Sequence, residues 1–358
     1  MPIPAEAIFL PPVLTGTLQQ RIRQVVAAGI LSGRFRPGER MPSSRALAIH
    51  LGISRITVTL AYTDLVASDY LSARGRSGYY VSDSAPRPAE FGTAPARAEV
   101  TLDYAALTGR RFSRVPRLDK PEDWPRYPFP FIYGQADAAL FDHQNWRQCA
   151  LRALGKRDFE ALTSDYYERD DPLLIEYILT TILPRRGIDA RPSEVLLTLG
   201  AQNALWLAAQ VLLAPGRRAA MENPGYPSLR GILAQTGCAI DSVDVDDGGL
   251  PPEALPAGVN VVFTTASHHC PTNATMPLPR RRALVDAASA RDFVIVEDDY
   301  EFEMSFLKSV SPSLKSLDRE GRVIYVGSFS KSIFPGLRLG YLVAPESFVA
   351  EARALRAT

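Results

Sequence analysis

The sequence predicts an α/β protein in which a small winged helix-turn-helix precedes a larger domain of alternating strands and helices. Three features carry this expectation. Helical periodicity followed by two short strands fills residues 12–82, apolar runs ending in polar clusters recur from residue 195 onward, and a proline-rich stretch separates the two regions. With 358 residues, 46% of them hydrophobic, the chain is long enough for more than one core. No apolar run is long enough to span a bilayer, and no charged-then-apolar leader opens the sequence, which points to no membrane partner. Three widely spaced cysteines, Cys149, Cys238 and Cys270, suit a reducing cytoplasm. The net charge of +1 hides an asymmetry: residues 1–81 carry nine Arg against four Asp or Glu, leaving −4 for the remainder. The basic end is the candidate nucleic-acid face.

From Leu18 to Leu31 the apolar residues Leu18, Ile22, Val25, Val26 and Ile30 recur at helical spacing, and Gly33 with Pro37-Gly38 ends the run. A second helix follows, capped by Ser43 or Ser44 and closed at Gly52. Ser54 caps a third, with Ile56, Leu60 and Leu65 as its expected inward face. YLSARGRSGYYVSD reads as a β-hairpin with a basic, Gly-rich tip. Helix, helix-turn-helix and hairpin make a winged helix, and PSSRALAIHLGISRITVTLAYTDL resembles the GntR-type DNA reader. That resemblance implies a double-stranded DNA operator as partner. It places Ser54, Arg55, Thr57 and Thr59 toward the DNA, with Arg45 from the preceding helix and Arg74 and Arg76 from the wing on phosphate or minor groove. Arg55 is the candidate for a base-edge contact, since a guanidinium pairs bidentately with guanine. Where many GntR wings have two glycines around a serine, this one has Arg76-Ser77-Gly78, a more cationic tip.

Residues 83–128, with prolines among Ala, Arg and Gly and little periodicity, read as an extended linker. The larger domain is expected over 129–358. Its most informative stretch is GSFSKSIFPGLRLGY, residues 327–341. Lys331 follows a short apolar run, Val323 to Val326, so an amine is delivered to the end of a strand, where open α/β sheets collect ligands. Ser328, Ser330 and Arg338 offer hydroxyls and a planar cation beside that amine, a grip for phosphate. An aldehyde carrying a phosphate is pyridoxal 5'-phosphate.

Two further strand ends have matching chemistry. EVLLTLGAQNALWL reads as a strand, a tight turn at Gly200 and a helix beginning near Gln202, so the main-chain N–H groups of Ala201 and Gln202 are free to bind phosphate. FVIVEDDYEFE ends a strand in three carboxylates and Tyr300. A carboxylate facing the pyridine nitrogen keeps that nitrogen protonated and the ring an electron sink. His268-His269 with Cys270 does not read as a metal site, because adjacent residues do not readily chelate one ion.

On these motifs residues 195–345 resemble the fold-type I, aspartate-aminotransferase-like family, whose large domain is a mixed, mostly parallel sheet with helices on both faces. With the N-terminal reader the whole resembles the MocR/GabR-type regulators of the GntR superfamily. The resemblance implies that Lys331 forms the internal aldimine, that Asp298 pairs with the ring nitrogen and Tyr300 with the ring hydroxyl, and that Tyr226 stacks on the ring, a core tyrosine being the alternative. Around the position where aminotransferases place an asparagine on the ring hydroxyl, this chain has Ser267, His268, His269 and Asn273, and Asn273 is the candidate. The family's glycine near residue 170 is replaced by Asp170-Asp171-Pro172.

The expected function is a cytoplasmic, homodimeric transcription factor that senses a small amine or amino-acid effector through aldimine exchange at Lys331. The alternative is a working aminotransferase with an accessory N-terminal domain, and the winged helix favours the regulator. The family continues past the helical pattern Ser347 to Arg356 into a small domain carrying an arginine that clamps the substrate carboxylate. A polypeptide ending at Thr358 is expected to bind DNA and respond weakly to amino acids.

Overall fold

The computed structural model describes residues 2–12, 15–86, 103–108, 121–132, 134, 135, 137–155, 163, 168–304 and 311–358. The chain divides into two compact units, Met1–Leu107 and Thr108–Thr358.

The small unit is a winged helix. α1 (Leu18–Leu31) opens in a capping box between Thr17 and Gln20 and buries Ile22, Val26 and Ile30. α2 (Ser44–Leu51) is capped by Ser43, whose Oγ accepts from the Ala46 N–H at 3.1 Å. It ends at Gly52, whose φ of 64° is open to glycine without strain and turns the chain toward the next helix. α3 (Arg55–Ala67) is capped by Ser54 and buries Val58, Ala61, Tyr62 and Leu65. This corrects the expected inward face at two of its three residues: Leu65 is buried, but Ile56 and Leu60 are 67% and 47% exposed. Both sets recur at helical spacing. The four-residue stripe offers the larger apolar surface and takes the core, with the Tyr62 hydroxyl donating to the Pro42 carbonyl at 3.1 Å. β1 (Leu71–Ala73) and β2 (Tyr79–Val81) pair antiparallel with Leu71 opposite Val81. The tip between them is one tight turn, Gly75–Ser77, closed by Gly78 at φ 102°. The Arg76 side chain and most of the linker expected over 83–128 lie outside the described residues; within that stretch the described residues form one helical turn, α4 (Tyr104–Leu107), and a tighter turn at Trp124–Arg126.

The large unit holds α5 (His143–Ala153), α6 (Pro172–Tyr177) and a seven-stranded sheet. Its strands are β3 (Val195–Thr198), β4 (Arg218–Asn223), β5 (Ala239–Asp244), β6 (Val261–Thr264), β7 (Val294–Asp298), β8 (Val323–Ser328) and β9 (Gly340–Val343), in the order β3-β9-β8-β7-β6-β4-β5. All run parallel except β9, which is antiparallel to both its neighbours. The connecting helices are α7 (Ala201–Leu212), α8 (Pro227–Ala234), α9 (Leu278–Arg291), α10 (Leu314–Leu317) and α11 (Glu346–Arg356).

Alternation along the strands feeds two faces. Phe263, Val296, Ile324 and Val326 pack with Leu205, Ala208, Leu233 and Val349, from α7, α8 and α11. Val262, Ile295 and Val323 pack with Leu284, Ala288 and Leu314, from α9 and α10. A sheet so covered has one edge left for chemistry. Because β3, β4, β6, β7 and β8 point the same way, their carboxyl ends lie on one edge, which β9 enters from its own start.

Candidate functional site

Every polar cluster that the sequence placed after an apolar run is delivered to that edge. Arg338 precedes β9 in a left-handed conformation, φ 52°. Its Nη2 donates to the Leu199 carbonyl at 3.4 Å. Its guanidinium also sits beside Gly200, 3.3 Å from the place a Cβ there would take. Gly200 in turn begins α7, where the first N–H groups, those of Ala201 and Gln202, have no partner within the helix. A cation therefore stands over a helix N-terminus, and both favour an anion. Ser328 ends β8 and Ser330 follows it, the Ser328 Oγ accepting from the Ser330 N–H at 3.2 Å.

Lys331 follows directly, with Nζ 5.7 Å from the centre of the Tyr300 ring. Burial holds the Tyr300 hydroxyl well above its ordinary range, and Cys270 and Glu301 add to this, so it remains a donor. Asp298 ends β7 almost fully buried, and among the described residues its Oδ1 has no hydrogen-bond partner. Burial, followed by the charges of Asp299 and Glu222, pushes the Asp298 carboxyl up to about 7. Such a carboxylate calls for a buried cation or donor. Tyr226, at the start of α8, lines a small cavity together with Asp298, Phe263 and Thr265.

Asn273 does not join this group. It occupies an exposed turn at φ 59°, and its Oδ1 meets His268 Nε2 at 3.0 Å, so it approaches Tyr300 only through the His268 ring, 6.4 Å from the tyrosine's. The residue of that loop turned toward the cleft is Cys270, whose thiol is pushed up by burial and by Asp298 and lowered by Lys331.

Sequence reasoning missed two neighbours. Gly134 lies against Lys331 so closely that any side chain there would meet the ammonium group, and its φ is 69°. Glu222, buried at the end of β4, accepts from Thr264 Oγ1 at 2.6 Å and Thr265 Oγ1 at 2.7 Å and lies 3.5 Å from His269 Nε2. Burial pushes its carboxyl up, and His269 opposes the shift. A carboxylate closing an apolar strand was the available signal for Glu222, the same one that singled out Asp298. Glu297 and Asp299 prove structural: Glu297 accepts from the Leu314 and Lys315 N–H groups at 2.8 and 3.0 Å, and Asp299 pairs with Arg186 at 2.7 Å.

The residues fit pyridoxal 5'-phosphate. Arg338, the start of α7, Ser328 and Ser330 would hold its phosphate, Asp298 Oδ1 its ring nitrogen, Tyr226 a ring face, and Lys331 supplies the amine. The fit rests on the unpartnered Asp298 oxygen and on the cation over a helix start.

In the small unit, Arg55 Nε donates to Ser44 Oγ at 3.3 Å, which joins the starts of α2 and α3. Arg45 and Ser54 are exposed there, whereas Thr57 and Thr59 are half-buried. On the wing, Arg74 lies over the Tyr80 ring at 4.7 Å and 3.7 Å from Asp83.

Comparison with known proteins covers both units. The model of bacterial regulatory proteins of the gntR family matches residues 18–81, and that of aminotransferase class I and II matches residues 145–358. The HTH-type transcriptional regulator TauR of Rhodobacter capsulatus is 67% identical over 100% of this chain and 74% of its own length. The HTH-type pyridoxine biosynthesis transcriptional regulator PdxR of Corynebacterium glutamicum is 32% identical over 96% and 67%. The probable rhizopine catabolism regulatory protein MocR of Rhizobium meliloti is 30% identical over 92% and 65%. Among solved structures, the α-aminoadipate aminotransferase LysN of Thermus thermophilus matches with a TM-score of 0.59 and 28% identity over 71% of this chain. The kynurenine aminotransferase of Pyrococcus horikoshii matches with 0.56 and 27% over 62%. The chain spans 66% and 57% of the lengths of those two structures.

Proposed function

Because the chain belongs to the MocR/GabR-type regulators, in which a gntR-family reader is joined to an aminotransferase class I and II domain, we propose that it is a pyridoxal 5'-phosphate-dependent transcription factor responding to a small amine or amino acid. It acts in the cytoplasm, as a homodimer on a double-stranded operator. The observation that carries this reading is the gathering, at one sheet edge, of an amine at Lys331, an anion cradle at Arg338 and α7, and the unpartnered Asp298 oxygen. The LysN structure was solved with N-(5'-phosphopyridoxyl)-L-leucine, a cofactor joined to an amino acid, which supports the same use of this edge.

When bound, the cofactor supplies an aldehyde that joins reversibly to amines. This chain's residues do the rest. Asp298, ionised once it has a cationic partner, would hold the proton of the ring nitrogen. Tyr300 would donate toward the ring hydroxyl, Arg338 with the start of α7 would fix the phosphate, and Lys331 would present its amine toward the aldehyde. Differential affinity of the effector for two arrangements of the large unit would then bias DNA binding.

Borohydride reduction of protein incubated with pyridoxal 5'-phosphate, followed by peptide mass spectrometry, tests the reading. The label is expected on Lys331 and lost in Lys331→Ala; a label retained on another lysine counts against it. An operator duplex whose affinity shifts when amines are titrated in completes the test.

A further inference from the structure

Extending the DNA-binding reading on which it rests, we propose that Ile56 reads a thymine methyl group in the major groove, so that the operator half-site carries a thymine opposite this residue. The recognition helix of a helix-turn-helix presents its N-terminal residues to base edges, and Ile56 is the second residue of α3. Its side chain is 67% exposed and stands on the face opposite Val58, Ala61, Tyr62 and Leu65, so the core of the unit makes no use of it. Leu60, one turn on, is 47% exposed on the same face. Isolated surface apolar residues need no explanation, but a pair at i and i+4 on a helix start does.

The outward hydroxyls of α3 make hydrogen bonds within the helix itself. Thr59 Oγ1 donates to the Arg55 carbonyl and Thr63 Oγ1 to the Thr59 carbonyl, each at 3.0 Å. Ser54 Oγ accepts from the Ile56 N–H at 3.3 Å, and Thr57 is half-buried on the flank. Beside Arg55, the exposed residues in the first two turns of α3 are Ile56 and Leu60. Arg45 and Arg55 are exposed beside this patch, and residues 1–81 hold nine arginines against four acidic residues. A basic collar around an apolar centre matches a groove walled by phosphates, and thymine alone among the bases presents an apolar group there. Arg55 and Ile56, adjacent on one helix start, would read neighbouring positions, a guanine edge and a thymine methyl.

The test begins with duplexes enriched from a random pool by the full chain. Failure to enrich any sequence would overturn the DNA-binding reading and this inference with it. Each thymine of an enriched site is then replaced singly by deoxyuridine, which removes only the methyl group, and affinity is measured by fluorescence anisotropy at fixed salt. The wild-type protein is expected to lose about fourfold at one thymine per half-site, the scale of one methyl withdrawn from an apolar contact. Ile56→Ala should bind the thymine and deoxyuridine duplexes equally at that position and keep the other positional preferences. The substitution lies on an exposed face, and an unchanged melting profile verifies the fold. Wild-type indifference to deoxyuridine throughout, an Ile56→Ala protein that retains the full penalty, or a variant altered only in its state of association would each overturn the assignment.

Discussion

Asp298 is held at the end of β7 with an oxygen that has no partner among the described residues, and its carboxyl is pushed up to about 7 by burial, by Asp299 and by Glu222. The unfolded chain releases that proton near the ordinary aspartate value, so between about pH 4 and pH 7 the folded state binds the extra proton. Stability of the cofactor-free protein therefore falls as pH rises through this window, by on the order of 4 kcal/mol from this residue. Asp298→Asn should remove that part of the slope, leaving the apoprotein relatively more stable at pH 8 than at pH 5 by comparison with wild type. Glu222 and Glu297 are pushed upward by burial as well, so a residual slope stays. Thermal melts at the two pH values check this, and identical slopes for variant and wild type would refute it. The same variant should retain pyridoxal 5'-phosphate poorly on dialysis, since an amide cannot balance a pyridinium charge. The residue was legible because a carboxylate closing an apolar run is visible in sequence. Its neighbour was not separable from it there: choosing Asp298 over Asp299 came from resemblance, and in the fold Asp299 is taken up by Arg186 and Tyr325 while Asp298 Oδ1 has no hydrogen bond among the described residues.

At the level of elements, Asp299 acts as a clasp. It accepts from Arg186 Nε at 2.7 Å and from the Tyr325 hydroxyl of β8 at 2.8 Å, joining the turn before β3 to two central strands across 113 residues of sequence. Arg186 also donates to Ser267 Oγ at 2.9 Å and to the Ser311 carbonyl at 2.7 Å. Asp299→Ala would leave the guanidinium buried without its counter-charge, a loss of about 3 to 5 kcal/mol. A marked fall in the melting temperature of the large unit is expected; a change under about 1 kcal/mol would show that the clasp contributes little. No local pattern announces a pair so far apart, nor the antiparallel insertion of β9 between β3 and β8. By contrast α1 was readable to its ends, because capping and period agree there, and β7 and β8 were readable as apolar runs. The inward face of α3 was misread in part for a definite reason. It carries two apolar stripes at helical spacing, and periodicity does not say which one faces inward. Gly134 escaped for a related reason, since close approach is a property of the folded chain, whereas Glu222 was passed over although it closes an apolar run as Asp298 does.

Over the whole molecule, charge is divided by region: residues 1–81 carry a net +5 and the remainder −4. Long-range attraction to DNA therefore belongs to the winged helix, and distinguishing its contacts requires separating charge from base recognition. Arg74 suits that experiment because it stands on the wing, held over the Tyr80 ring at 4.7 Å, where it can meet the backbone of a bound duplex. Asp83, 3.7 Å away, offsets part of its charge in the free protein, and both side chains are largely exposed, so the pair adds little to stability. A phosphate contact releases counterions whatever the sequence. Arg74→Ala should therefore weaken operator and unrelated duplexes by similar factors and reduce the slope of log affinity against log salt by about 0.9. Arg55→Ala should instead cost affinity mainly for the operator, with unrelated duplexes bound much as before, because a base-edge contact is lost. Measured across 50 to 200 mM salt, a range of roughly the kind over which phosphate contacts declare themselves, an Arg74→Ala protein with an unchanged slope and a loss confined to the operator would move Arg74 from the phosphates to the bases.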